Sequence, residues 1–511
     1  MSRMVTLALV LYLSPLASQQ FIRSYSYRPS TGDIAQHVTT VDSNIFIHIA
    51  SVLDTPFTHV EGGMAKLDWT GEEVWNNVWN FDFGYVGISF ANGIVATSDT
   101  VYGTGNYRNL ETEEGTFSPA IVANSVESGA TRPIRFPYDY RASIHDVFLN
   151  PDSSFTVVSE NWVSDSFDFP IVIENIDLAE RSLSSEEYLA EFAVTNATNT
   201  ARDSRGNLYV AHIGCFGSSA NCYPFQGWLS KINADGSFGW SRSYGFTANN
   251  QPVRPEVAIP NDTTIAFAWT RDTNNLDIQE SPPIIYYLDT LGNKRDSFAF
   301  HGTYRSVYRL IACENGDVIG VGLAWSRLRR SGWMFRLDGN ANLVWERYIQ
   351  DHRQTVGTET ELQAVTEAAD GSIVAAGSIF HGFPPDDGGS SQRAWVVKLD
   401  AAGCYESGCS SDTIYLEYTS SIDELEVTER TAIKIWPNPA TDHLDWSVTD
   451  QVALNRITDY QILNASGYTV QSGSIPSVEQ LIPIANLPAG LYYLTFLTGN
   501  RTSVVGKFIK R

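Results

Sequence analysis

Residues 335–345 read FRLDGNANLVW. An apolar strand carrying Arg336 runs into Leu337-Asp338, turn-forming residues follow, and a second strand leads to Trp345. That is the chemistry of an antiparallel hairpin. The same pattern recurs as AKLDWTGEEVW at 65–75, SKINADGSFGW at 230–240, YYLDTLGNKRD at 286–296 and VVKLDAAGCYE at 396–406, with weaker copies at 120–130 and 172–182. Aligned on Asp68, Asn124, Asp177, Asn233, Asp289, Asp338 and Asp400, the copies are spaced by 56, 53, 56, 56, 49 and 62 residues. A period near 55 is too long for the coils of a β-helix and for WD40 blades.

A second series of seven interleaves with the first, in segments such as SFANGIVATS, ARDSRGNLYVAHIG, ACENGDVIGVG and EAADGSIVAAG. Each unit therefore reads strand, tight turn, strand, long loop, strand, Asp-x-x-Gly type turn, strand. Seven such units predict an all-β fold, a seven-bladed β-propeller over residues 19–409, in which ring closure disposes of exposed sheet edges. The seventh unit lacks its fourth strand, because GCYESGC occupies that place. Phe21-Ile22-Arg23-Ser24-Tyr25 resembles the outer strand at 240–244 and is expected to supply the missing one.

The chain has 511 residues, 34 Lys and Arg against 58 Asp and Glu, and a formal charge of −24. Such a field repels phosphate backbones, so no nucleic-acid partner is expected. No apolar run reaches the roughly 20 residues of a membrane-spanning helix. Residues 1–18 read as a signal peptide, with Arg3 before the apolar stretch Val5 to Leu13 and small residues around Ala17 and Ser18. Export permits disulfides, and the expected bridges are Cys215–Cys222 and Cys404–Cys409, each close in sequence. Cys313, in an apolar strand, is expected to be a buried free thiol.

After an acidic linker at 410–430 the repeat is lost, and residues 431–511 show alternating strands between Pro and Gly turns, enough for a small C-terminal β-sandwich. This segment resembles the type A C-terminal sorting domain of type IX secretion cargo. The matching positions are Pro437-Asn438-Pro439, Gly467, Gly490 with Tyr492 in GLYYL, and the basic Lys507 and Lys510 near the end. The resemblance implies that the partner is the type IX secretion machinery, that the protein is secreted or attached to the outer cell surface, and that signal peptide and C-terminal domain are removed.

Catalytic signatures are missing. The sequence has no His-Glu-x-x-His, no phosphate-binding loop, no Gly-x-Ser-x-Gly elbow and no calcium loop, and no cofactor or metal is expected. In a blade of this topology the tight turns share one face, and the long loops share the other. The long loops carry Tyr102, Tyr107, Trp162, Phe216, Tyr223, Trp269, Trp325 and Phe383, with Arg327, Arg329, Arg330 and Asp386 beside them. Aromatic planes next to charged groups suit a sugar ring or a peptide. The expected function is binding of a glycan or protein ligand by that face. The alternative is a secreted hydrolase or lyase acting on polysaccharide through loop carboxylates.

Overall fold

The computed structural model describes residues 20–27, 32–52, 60–81, 84–87, 93–108, 117–135, 142–161, 170–177, 182–188, 195–215, 225–247, 254–270, 283–300, 304–326, 329–351, 359–380, 392–406, 408–409, 413–416, 433–448, 459–464, 469–474, 481–498 and 501–511. Two compact units divide the chain, Met1–Glu417 and Tyr418–Arg511.

The first unit is a seven-bladed propeller of antiparallel sheets. Blade 1 runs Gly32–Val41, Asn44–Val52, Val60–Asp68 and Glu73–Val78, paired in that order. Blades 3 to 6 repeat this order, their innermost strands being Ala142–Leu149, Thr195–Arg202, Glu256–Asn261 and Tyr304–Ala312. In blade 2 the inner edge is split into Gly84–Gly87 and Ile94–Ala96, both paired with Thr100–Arg108. Blade 6 gains a fifth strand, Thr413–Leu416, parallel to its outer strand Leu343–Asp351.

Ring closure follows the sequence pattern. Blade 7 takes three strands from Glu359–Leu399 and its fourth from Phe21–Tyr25, which pairs antiparallel with Gln392–Leu399 from Phe21↔Lys398 to Tyr25↔Ala394. The Tyr25 hydroxyl then donates to the Gly71 carbonyl of blade 1 at 2.7 Å, and Lys398 Nζ donates to the Trp69 carbonyl at 3.1 Å.

The same contact explains why the Asp-x-x-Gly turn recurs. In blades 1, 4, 5, 6 and 7 the turn between third and fourth strands has one geometry, with Asp68, Asn233, Asp289, Asp338 and Asp400 at its first position. Its fourth residue has positive φ, and four of these five are glycines (Gly71, Gly236, Gly292 and Gly403); in blade 6 it is Ala341. Blade 2 inserts one residue, so its turn starts at Ser125 rather than at Asn124, whose side chain is buried and accepts Trp79 Nε1. The turn following Asp177 lies outside the described residues. Onto each described turn the preceding blade lays a donor, and onto four of them a ring as well. Asn77 reaches Gly129, Tyr188 reaches Gly236, Tyr244 reaches Gly292, Tyr287 reaches Asp338 and Arg347 reaches Gly403, all at carbonyl oxygens. Phe21, Trp75, Trp240 and Trp345 stand over Gly71, Gly129, Gly292 and Gly403, where a Cβ would come within 3 Å of the ring. The repeated Trp and the repeated Gly are two halves of one interblade contact.

In the second unit, Ile433–Trp436, His443–Val448 and Leu481–Pro483 form one sheet. Asp459–Asn464, Thr469–Ser474, Gly490–Thr498 and Arg501–Lys510 form the other. Leu444, Trp446, Ile462, Ile482, Leu494 and Phe508 fill the core.

Cys404 and Cys409 form a disulfide. Cys222 lies outside the described residues, and nothing is described of the Cys215 side chain. Cys313 is buried and free, and burial pushes its thiol up to about 12, which keeps it protonated and unreactive.

Candidate functional site: the channel waist and the long-loop face

The innermost strands carry a shared irregularity. A bulge interrupts pairing just before His37, Asp146, Asn199, Arg309 and Ala364, which therefore occupy one level of blades 1, 3, 4, 6 and 7. Hydrogen bonds extend the level to blade 5. Asp146 accepts the Thr200 N–H of blade 4 at 3.3 Å, Asn199 accepts the Val257 N–H of blade 5 at 3.3 Å, and Glu256 accepts the Leu310 N–H of blade 6. Gly93 completes it in blade 2, since a Cβ there would lie 2.7 Å from Val147 N. Asp146, Asn199 and Glu256 thus each tie their blade to the next.

These residues converge on the axis of the ring. Arg309 Nη2 lies 3.6 Å from Asp146 Oδ2, although the two belong to blades 6 and 3. Only side chains crossing the central channel can meet at that separation. His37, Asp146 and Glu256 are buried, whereas the Arg309 side chain keeps 21% of its surface exposed.

Burial dominates the electrostatics here. It pushes the Glu256 carboxyl up to about 8, against the smaller pull of Arg309 and Arg254 and with a further push from Asp146. Glu256 is therefore mostly a neutral acid at pH 7, and among the described residues its Oε2 has no hydrogen-bond partner. Burial also raises Asp146, opposed by Arg309 and by the Val147 and Thr200 N–H groups. His37 is held well below its ordinary value by burial and then by Arg309, His48 and Arg254, so it stays neutral. The waist combines a neutral carboxylic acid, the Asp146 carboxyl facing a guanidinium, and a second guanidinium from Arg254.

The turn carboxylates have a different job. Asp338 accepts the Asn340 and Asn342 N–H groups, and bonds from the Asn342 side chain and these amides hold it below the ordinary carboxylate range. Its analogues Asp68, Asp289 and Asp400 make the same amide bonds. They organise turns and leave no ligand set, and among the described residues no cluster of His, Cys, Asp and Glu could hold a metal ion.

On the long-loop face, Trp325 ends the second strand of blade 6 opposite Arg330. Its indole is 41% exposed, the Arg330 guanidinium stands 4.6 Å from the ring centroid, and Arg330 Nε lies 3.4 Å from Glu359 Oε2. Tyr102 and Trp269 are interior. Tyr102 packs edge-on against Phe155 of the next blade at 4.9 Å, and Trp269 seals against Gly227, where a Cβ would lie 2.4 Å from the ring. Both fill space between blades, which takes them away from any ligand. Tyr107 and Arg329 lie in strands whose side chains are not described, and Trp162, Phe216, Tyr223, Arg327, Phe383 and Asp386 lie outside the described residues.

In the second unit, the Asn438 amide clamps the last strand, donating to the Lys507 carbonyl at 3.1 Å and accepting the Ile509 N–H at 3.0 Å. Pro437 and Pro439 flank this clamp, and the Ala440 N–H donates to the Ile509 carbonyl. Gly490 opens the strand in which Tyr492 is buried, its hydroxyl donating to the Pro488 carbonyl. Lys507 is exposed and Lys510 is buried, while Gly467 lies outside the described residues. Residues 434–511 match the family model described as the secretion system C-terminal sorting domain. The chain carries a type IX secretion sorting domain. The sorting domain makes the protein type IX cargo, secreted or held at the cell surface, and among the described residues no helix is long and apolar enough to cross a membrane.

A search of curated proteins finds no match. Among solved structures, the chain is similar to the PL25 ulvan lyase, a polysaccharide lyase, at 7% identity and a TM-score of 0.46 over 74% of this chain and 96% of that one. It is similar to the α-L-arabinofuranosidase Arb93A of Fusarium graminearum at 10% identity and a TM-score of 0.39, over 74% and 97%. For YjhT the values are 10% and 0.37, over 62% and 98%.

Proposed function

We propose that this cargo is a secreted or surface-attached binding protein whose long-loop face takes a glycan, a signal peptide and the sorting domain having been removed during export. The observation that supports this reading is Trp325. A half-exposed indole held by a stacked guanidinium, itself braced by Glu359, offers a flat apolar plane with polar groups at its edge. Sugar rings present one apolar face and a rim of hydroxyls, which is the complement of that plane. A peptide would use the same surface, so a glycan array run beside a peptide array separates the two. Loss of glycan binding in Trp325→Ala, with the fold intact by thermal unfolding, is the expected result; binding unchanged by that substitution defeats the face assigned.

A second reading, a polysaccharide hydrolase or lyase, draws on Glu256. A carboxylic acid neutral at pH 7 beside a carboxylate is the pairing that acid–base cleavage of a glycoside uses. The carboxyls concerned are Glu256 and Asp146 of the inner strands rather than loop aspartates. Release of reducing ends from a polysaccharide, abolished by Glu256→Gln, is what this reading requires.

A further inference from the structure

Cationic side chains gather at the channel waist of a chain whose formal charge is negative. Against a formal −24, two guanidiniums converge at the axis, since Arg309 of blade 6 and Arg254 at the approach to blade 5 both act on His37 of blade 1 and on Glu256. Asp146 pairs with Arg309 at 3.6 Å, beyond direct hydrogen-bond distance, so the guanidinium keeps donors for a further acceptor. His37 is neutral and therefore adds no cation. The guanidiniums are also the accessible part of the cluster. Arg254 and Arg309 are partly exposed, whereas Glu256, Asp146 and His37 lie behind them at 2%, 5% and 8% exposure.

Position decides which mouth they serve. Each inner strand runs from the long-loop face toward the tight-turn face, and Arg254 precedes Glu256 at the start of its strand. It therefore lies on the long-loop side of the waist. Trp325 and Arg330 belong to that same face, at the end of blade 6 whose inner strand supplies Arg309.

We propose that the ligand of the long-loop face is an acidic saccharide, and that one of its anionic groups, a carboxylate or a sulfate ester, enters the channel mouth to meet Arg254 and Arg309. The inference rests on the glycan reading and names the class of glycan. Three features favour an anion here. The guanidiniums act from low-dielectric walls, where a charge interacts more strongly than at an open surface. Glu256, buried with an unpartnered Oε2, is a neutral acid that can donate to an oxyanion instead of repelling it. The net negative charge of the chain disfavours unspecific contact with polyanions, so a cationic mouth is where one would be recognised.

The experiment is calorimetric titration of the full-length protein with three probes: an oligogalacturonate, a sulfated carrageenan oligosaccharide and a neutral cello-oligosaccharide. Tight binding of the first or second, weakening as salt is raised and by about tenfold or more in Arg254→Gln, is the expected outcome. Which of the two acidic probes binds assigns carboxylate or sulfate ester. The salt series uses the unaltered protein, so it decides the matter even where the variant unfolds. Equal binding of neutral and acidic probes, or acidic binding indifferent to salt and to Arg254→Gln, overturns this inference and leaves the glycan reading standing. Binding of no saccharide overturns both.

Discussion

Replacing Glu256 by Gln takes a titratable proton out of the channel waist while keeping an oxygen to accept the Leu310 N–H. In the folded chain the carboxyl titrates at about 8, against an ordinary value of 4.5. An acid whose folded value is raised binds its proton more tightly when folded, so its contribution to stability is complete below pH 4.5. That contribution is lost as pH rises from 4.5 to about 8, and it changes no further above. The difference of about 3.5, at 1.36 kcal/mol for each pH unit, corresponds to about 5 kcal/mol, an upper bound that water entering the channel reduces. Burial sets it, opposed by Arg309 and Arg254 and added to by Asp146, and the substitution leaves all three charged neighbours in place. The assay is urea denaturation of wild type and Glu256→Gln in one buffer system from pH 5 to pH 9. The midpoints should lie close together at pH 5, and the variant should gain steadily to pH 8 and hold its lead at pH 9. Parallel curves for the two proteins would refute the assignment of a buried, neutral Glu256.

On the acid side, besides His37, two histidines contribute, His48 and His212, which burial lowers to about 3 from 6.5. Both are neutral when folded, so their stability is complete above pH 6.5 and is lost as pH falls toward 3; in His48→Gln the midpoint pH of acid unfolding, followed by near-ultraviolet circular dichroism, should move down. Gly227→Ala puts a methyl group 2.4 Å from the Trp269 ring, and a loss of about 1 to 3 kcal/mol is expected in thermal unfolding. Changing Cys404 and Cys409 to Ser together opens a short loop and should cost about 2 kcal/mol, measured against the oxidised wild type. A chain ending at Glu417 should accumulate in the periplasm, and its appearance in the culture medium would contradict the role of the sorting domain.

The blade count was legible because the interblade contact repeats in the side chains themselves. A turn whose fourth residue needs positive φ selects Gly, its first residue needs an acceptor and selects Asp or Asn, and the strand that follows supplies a Trp for the next Gly. The missing outer strand of blade 7 and the spare FIRSY segment were visible for the same reason. Asn124 went astray by one position because blade 2 lengthens its turn by a residue, which a fixed template cannot register. Tyr102 falls within the strand Thr100–Arg108 rather than in a loop, and Trp269 stands at a strand end, which inside a ring of sheets faces the neighbouring blade as readily as solvent.

No sequence motif marks the channel waist, and the reason is physical. Its members are chemically unlike one another, since a shared level in a ring demands position and not residue type: His37, Gly93, Asp146, Asn199, Glu256, Arg309 and Ala364 have no common motif. Yet their spacings stay between 53 and 57, tighter than the spread of the turn series. Asp146, Asn199, Arg309 and Ala364 each stand four residues before the first residue of the inner turn, at Asn150, Asp203, Cys313 and Ala368. The turn therefore fixes the waist. Where that offset carries a charged or amide residue in an otherwise apolar inner strand, burial demands a partner, and the partner found is the amide of the next blade or a charge across the axis. Variation at one fixed offset is how a symmetric ring acquires an asymmetric centre, with blades 3 to 5 supplying acceptors and blade 6 the cation that crosses to them. A ligand entering along the axis meets that asymmetry first, so discrimination between anionic and neutral ligands is expected to track Arg254 and Arg309 more closely than any single aromatic of the outer loops.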